Sequence, residues 1–193
     1  MKKSSFIFNP FNRFAGYEAL GIGFVFMIIG AALAHLGNAR FDGVLDLHFV
    51  AESHFLTAFI DQCVNLLAMT ICFFIAARAS GASTTRLIDI AGTMLLAKAP
   101  YAVLPLLNIT GYMYAVGMEA VGDLNEPPSG SEMAQLLLLS VPIILFAIWS
   151  IALMVNAYKV STNLKGSKMT VGFIVALIAA EIVSKIIISL QFY

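Results

Sequence analysis

The sequence predicts an all-α integral membrane protein, a bundle of five transmembrane helices with its N-terminus inside and its C-terminus outside. Of its 193 residues, 60% are hydrophobic and 11% are charged, whereas an average soluble domain is about half apolar and about a quarter charged. Five apolar runs are long enough to cross roughly 30 Å of hydrocarbon. The formal net charge is zero, so we expect no general attraction to nucleic acid.

The five runs define one membrane domain that covers residues 1–193. We expect the spans at 17–36, 55–77, 87–107, 134–158 and 170–190. The third span has the least defined outer end, because Pro100 and Pro105 can each kink or end a helix and the chain stays uncharged beyond them.

The charged residues near the span ends predict the orientation. Eight basic residues fall on one side of a five-span chain: Lys2, Lys3, Arg13, Arg78, Arg86, Lys159, Lys165 and Lys168. The loops on the other side carry seven acidic residues and a single basic one, Arg40. Basic loops stay in the cytoplasm, so the basic side is the inner side.

The N-terminal arm, residues 1–16, is aromatic and carries little charge. Four phenylalanines lie within it, at positions 6, 8, 11 and 14. We expect this arm to lie at the membrane interface and to lead into the first span.

Ionisable residues inside the spans are the main candidates for a functional site. Six lie within or at the edge of the predicted bilayer: Glu18, Asp61, Asp89, Lys98, Glu181 and Lys185. Counting 1.5 Å per residue from the span ends places Asp61 of span two in one layer with Lys98, Glu181 and Lys185. Glu181 and Lys185 are four residues apart and predict an ion pair. Asn65, one helical turn from Asp61, is expected to complete its hydrogen bonding.

This charged layer has two interpretations. A charge near the bilayer centre costs roughly 2.5 to 3.5 kcal/mol, so such residues face protein or water and pair with one another. Lys98 is expected to pair with Asp61 or Glu181, which locks spans two, three and five together. The other interpretation is a polar cavity floor or a relay for protons or ions. Glu18 and Asp89 lie near the inner surface, where Arg13 and Arg86 explain them.

Signatures of metal sites and enzymes are absent from the sequence. Asp46, His48, Glu52 and His54 alternate in the first outer loop, but their spacing matches no established zinc site. The chain contains no H-E-x-x-H, no G-x-S-x-G and no phosphate-binding loop. We therefore predict a protein that is not an enzyme and that holds neither a metal nor a cofactor.

Several sequence segments resemble the YIP domain family, the Ypt-interacting proteins and their prokaryotic relatives. These are Asn9-Pro10 followed by an aromatic residue, the small-residue loop 79–85 that leads into Arg86-Leu87-Ile88-Asp89-Ile90-Ala91-Gly92, Ala99-Pro100, and the stretch from Ile148 to Ser161. The Asp-Leu-Tyr-Gly-Pro motif of the eukaryotic members is missing, so the likeness is to the prokaryotic branch. The eukaryotic members bind Rab-type GTPases and shape transport membranes.

The resemblance implies a membrane scaffold or adaptor without enzymatic activity. We expect it in a prokaryotic cytoplasmic membrane, with the lipid bilayer around it and a protein partner at the cytoplasmic loops. The alternative is a small transporter or channel subunit that uses the charged layer. A scaffold predicts a dry, paired core, whereas a transporter predicts a wet cavity that reaches Asp61 or Glu181.

Overall fold

A computed structural model of the chain describes residues 7–122 and 130–192. Within these ranges the helices are α1 (Gly16–Leu36), α2 (Phe55–Ala79), α3 (Leu87–Ala97), α4 (Tyr112–Gly122), α5 (Gly130–Thr162) and α6 (Gly166–Phe192). Two 3-10 helices, Pro10–Asn12 and Ala99–Asn108, and two short strands, β1 (Ala39–Arg40) and β2 (His48–Phe49), complete the described elements.

Five segments are long and apolar enough to cross a membrane, as predicted. They are Gly16–Leu36, Phe55–Ala79, Leu87–Asn108, Met133–Thr162 and Gly166–Leu190. The first three segments begin and end within two residues of the predicted spans. The fourth span ends four residues later than predicted and the fifth begins four residues earlier. The two short strands and α4 are additions that the sequence did not predict.

The third span forms the centre of the bundle and changes its helix type halfway across. It is an α-helix up to Ala97 and a 3-10 helix from Ala99, with Pro100 in its first turn and Pro105 inside it. Proline lacks an N–H donor and clashes with the carbonyl four residues before it, so the α-helix cannot continue. In this span 78% of the most apolar window is buried, against 12% in α5.

α1 and the third span approach each other closely along a stripe of glycines. A β-carbon added at Gly23 would lie 2.8 Å from the backbone nitrogen of Leu96, and one added at Gly37 would overlap the carbonyl oxygen of Pro105. The stripe consists of Gly16, Gly23, Gly30 and Gly37, which are spaced seven residues apart. Small residues let membrane helices pack backbone to backbone, and a seven-residue period keeps them on one side of a left-handed helix pair.

α2 packs along α6, and aromatic rings fill the space between these helices and α5. The ring of Phe73 lies 5.4 Å from that of Tyr158 and 5.5 Å from that of Phe173, measured between centroids. These residues belong to the main apolar core. By contrast, α5 exposes most of its apolar side chains, as a helix surrounded by lipid does.

The described part of the N-terminal arm lies along α5. The indole nitrogen of Trp149 donates to the carbonyl oxygen of Ile7 at 3.1 Å, and the amide of Asn156 donates to that of Phe8 at 2.8 Å. Phe11 is buried. Residues 1–6 lie outside the described residues, and the interfacial position of the arm stays a prediction.

Candidate functional site

The loop between α1 and α2, residues 37–54, is folded into the bundle. We call it the outer loop, after its predicted side. Its strands pair antiparallel, with Ala39 opposite Phe49 and Arg40 opposite His48. Ala39, Phe41 and Val44 are fully buried. The loop therefore contributes side chains to the core, whereas a loop at the membrane surface would leave them in solvent.

Asp61 on α2 binds Arg40 of the outer loop. Arg40 Nε donates to Asp61 Oδ2 at 3.0 Å and Arg40 Nη2 donates to Asp61 Oδ1 at 2.9 Å. The aspartate side chain is 0% exposed and that of the arginine 12%. The predicted pairing of Asp61 with Lys98 is therefore wrong. A guanidinium matches a carboxylate with two parallel hydrogen bonds, which an ammonium cannot form.

Three spans also bind the backbone of the outer loop. Asn65 Nδ2 donates to the carbonyl oxygen of Phe41 at 2.8 Å, so its expected bond to the neighbouring aspartate is wrong. The backbone N–H of Leu45 donates to Glu181 Oε2 at 2.8 Å, and its carbonyl accepts from the hydroxyl of Tyr101 at 2.9 Å. Buried backbone groups need such partners, and here α2, the second 3-10 helix and α6 provide them.

The expected ion pair on α6 is present, but it extends to the outer loop. Lys185 Nζ lies 3.7 Å from Glu181 Oε1 and 2.5 Å from Asp46 Oδ2. Gly43 lies directly over this group, and a β-carbon there would overlap Glu181 Oε1 and lie 3.0 Å from Asp46 Cβ. A larger residue at position 43 would have to displace the carboxylate of Glu181 from this position.

Lys98 lies apart from these pairs, at the junction of α3 and the 3-10 helix. Its side chain is buried, and its Nζ has no hydrogen-bond partner within the described part of the chain. The predicted pair with Asp61 or Glu181 is therefore not formed; the nearest aromatic ring is that of Tyr101, 5.8 Å away. Lys98 and Gln62 line a cavity of about 10 Å³, roughly the size of one water molecule.

The histidines of the outer loop have separate partners. His48 Nδ1 lies 3.0 Å from Asp42 Oδ1, and this hydrogen bond raises the pKa of His48. Burial alone raises the pKa of Asp42, but the hydrogen bond and the charge of His48 outweigh it and lower that pKa. His54 instead stacks on His35, with 6.5 Å between ring centroids.

No metal site is formed by the alternating acids and histidines of this loop, as far as the described residues go. Asp46 is engaged by the α6 lysine, and no three histidine, cysteine, aspartate or glutamate side chains converge in the described ranges. The absence of a bound metal in the protein itself stays a prediction.

The outer loop and its ligands form a closed structure that we call the outer cap. It comprises residues 37–54 together with Asp61, Asn65, Tyr101, Glu181 and Lys185. Four of the predicted site residues, Asp61, Asn65, Glu181 and Lys185, bind the loop directly. Sequence reasoning missed Arg40 and Tyr101 as partners. The sequence did contain one indication that Arg40 has a partner, since it is the single basic residue in the loops of the acidic side.

The opposite end of the bundle has shorter turns and an exposed ion pair. Arg86 Nε and Nη2 donate to the two carboxylate oxygens of Asp89, each at 2.8 Å. The arginine side chain is 71% exposed. The predicted pairing of Asp89 with Arg86 is confirmed.

The chain was compared with known protein families, with curated proteins and with solved structures. None of the three comparisons found a match. The resemblance to the YIP domain family therefore remains an expectation that rests on the sequence segments named above.

Proposed function

We propose that the protein is a membrane scaffold or adaptor of YIP type, without enzymatic activity, in a prokaryotic cytoplasmic membrane. One observation carries this proposal: the outer cap closes the bundle through side chains from three spans. These charges bind the protein's own loop. The space beside Lys98, about 10 Å³, has room for one water and not for a solute.

The proposal places the protein partner at the end opposite the outer cap. The turn between α2 and α3 and the turn between α5 and α6 lie there. These turns and the helix ends beside them carry five of the eight basic residues that predict the inner side. Thr84 in the first of these turns is exposed. With this orientation the N-terminus is cytoplasmic and the C-terminus external.

Reporter fusions test the orientation. A reporter after Tyr193 should be active outside the cell, and one inserted in residues 159–168 should be active in the cytoplasm. A C-terminus in the cytoplasm would contradict the five-span orientation.

Site-specific crosslinking tests the adaptor proposal. A photo-crosslinking residue in place of Thr84 should give a discrete adduct with a second protein in intact cells. The same residue in place of Ala51, which is exposed in the outer loop, is the matched control and should give none. Equal labelling at both positions, or none at either, would overturn the proposal.

Lys98 favours a second candidate function, a small transporter or channel subunit. It lies buried and without a hydrogen-bond partner among the described residues, where the most buried span changes from α-helix to 3-10 helix. Ionisable residues and interrupted helices at such depth are typical of transport pathways. Proton or ion flux in proteoliposomes that is lost in Lys98→Met and kept in Lys98→Arg would establish this function in place of the scaffold.

A further inference from the structure

A polar cavity lies where the N-terminal arm meets the turn between α5 and α6. It has a volume of about 340 Å³, and four asparagines and two lysines dominate its lining. The lining residues are Asn9, Asn12, Asn156, Lys159, Val160, Asn163, Leu164 and Lys165. No acidic side chain is among them, so the cavity is positively charged.

The local backbone holds the two lysines at this cavity. α5 ends at Thr162. The next residue, Asn163, adopts a left-handed conformation with φ 53°, and its N–H donates to the carbonyl of Lys159 at 3.1 Å. This turn brings Lys165 next to the end of α5. Both lysine side chains are exposed, and neither forms an ion pair with a described residue. Their charges are available to an anion.

Asn9 adds a second kind of binding group to the cavity. Its Oδ1 atom is buried and accepts no hydrogen bond from the described part of the chain. A buried acceptor without a donor is costly, about 1 to 3 kcal/mol, and structures rarely retain one. Rotation of the Asn9 side chain toward the cavity would bring this acceptor to a ligand hydroxyl, which would be the missing donor.

The position of the cavity favours a lipid ligand. The fourth span ends at Thr162 and the fifth begins at Gly166, so the cavity lies at a boundary between hydrocarbon and water. Val160 and Leu164 provide an apolar part of its lining. Basic pockets between membrane helices at this depth bind the headgroups of anionic lipids.

We propose that this cavity binds the headgroup of an anionic phospholipid with free hydroxyls, of the phosphatidylglycerol class. Lys159 and Lys165 bind the phosphodiester, and a glycerol hydroxyl donates to Asn9 Oδ1. Lipids with choline or ethanolamine headgroups carry a cation that the two lysines repel. This inference does not depend on the scaffold function or on the direction of the chain in the membrane.

Native mass spectrometry of the full chain in detergent, titrated with phosphatidylglycerol, tests the site. Lys159→Gln and Lys165→Gln should each weaken binding about 5-fold, and the double variant about 30-fold, from the usual contribution of a lysine to anionic lipid binding. The double variant with arginine at both positions should bind like the wild type. Lys168→Gln is the matched control, because Lys168 is an exposed lysine at the same end that does not line this cavity; it should stay within about 2-fold.

Two further titrations identify the headgroup and its source. Asn9→Ala should lower affinity for phosphatidylglycerol about 5-fold, the worth of one hydrogen bond, and leave phosphatidic acid unaffected. Free glycerol phosphate should compete poorly, since it lacks acyl chains. Equal losses in all three glutamine variants would mean diffuse charge attraction and would overturn the site. Free glycerol phosphate that binds as tightly as the lipid would overturn the lipid assignment.

Discussion

Two arginine–aspartate pairs with nearly the same geometry lie at opposite ends of the bundle. Arg40 binds Asp61 with two hydrogen bonds of 3.0 and 2.9 Å, and Arg86 binds Asp89 with two of 2.8 Å. They differ in their exposure to solvent and in the sequence distance between the two partners. The side chains of Arg40 and Asp61 are 12% and 0% exposed and lie 21 residues apart in the sequence, whereas those of Arg86 and Asp89 are 71% and 18% exposed and lie three residues apart.

Burial, and not bond geometry, decides what each pair does. Water can replace either partner of the exposed pair, which leaves Asp89 as a favourable negative charge in the first turn of α3. The Asp61 side chain is 0% exposed, so this carboxylate depends on hydrogen bonds within the protein, chiefly the two from Arg40. The end that carries the outer cap is therefore held by buried polar bonds, and the opposite end must be held by other contacts.

The largest predicted effect is on the buried pair. Arg40→Met should lower the free energy of unfolding by about 3 to 5 kcal/mol, because it leaves Asp61 charged and unpaired. The double variant Arg40→Met, Asp61→Asn should lose less than this single variant, since no lone charge remains. Thermal unfolding in detergent measures both.

The exposed pair provides the control for this comparison. Arg86→Met should melt at the temperature of the wild type, because solvent takes over the hydrogen bonds of Asp89. If Arg40→Met and Arg86→Met proved equally harmless, Asp61 would have to be reached by water and the outer cap would not be closed.

The next effect concerns the end opposite the outer cap. There, backbone contact between α1 and α3 takes the place of buried charge. A β-carbon at Gly92 would overlap the carbonyl oxygen of Gly16 and lie 2.9 Å from the nitrogen of Leu20. Gly92→Ala should therefore cost about 1 to 3 kcal/mol of stability, the usual cost of overpacking.

Gly21→Ala is the matched control for Gly92→Ala. Gly21 lies on α1, the helix that Gly92 of α3 contacts, but nothing is within 4 Å of a β-carbon added at Gly21. This variant should be as stable as the wild type or slightly more so, since alanine favours helix. Thermal unfolding that fails to separate the two variants would contradict the close contact of α1 with α3.

The smallest effect is a pH dependence of the outer cap. The hydrogen bond that His48 donates to the carboxylate of Asp42 raises the pKa of His48 above its ordinary value of 6.5. A group whose pKa is raised by folding stabilises the folded state fully below its unfolded pKa and loses that contribution as pH rises through the folded value. The melting temperature should therefore fall as pH rises from about 6.5 through neutrality.

His48→Gln tests the origin of this slope. Glutamine keeps a hydrogen-bond donor for Asp42 but does not titrate, so the melting temperature of this variant should be flatter above pH 6.5. A slope that is identical in the variant and the wild type would assign the effect to another group.

The sequence predicted the spans well because length and apolar composition are local properties. Pro100 and Pro105 likewise indicated that an α-helix is interrupted in the third span. Glu181 and Lys185 lie one helical turn apart, so their pairing could be predicted from their spacing. The seven-residue period of glycines in α1 was equally readable and was missed.

The partners of Asp61 and Lys98 could not be predicted in this way. Depth counting compares residues within spans and treats the loops as solvent-exposed. The outer loop instead folds inward, so Arg40 binds Asp61. Lys98 is then left without either of the two carboxylates, those of Asp61 and Glu181, that were considered as its partner. Only the three-dimensional path of the loop contains this information.

The bond between Leu45 and Glu181 sets an order of events during synthesis. These residues are 136 positions apart, so at about 5 to 20 residues per second Leu45 leaves the ribosome roughly 7 to 27 s before its partner. The N–H of Leu45 therefore waits for its acceptor until the last helix has been synthesised. A nascent chain that stops before α6 cannot complete the outer cap, because Glu181 and Lys185 are both on that helix.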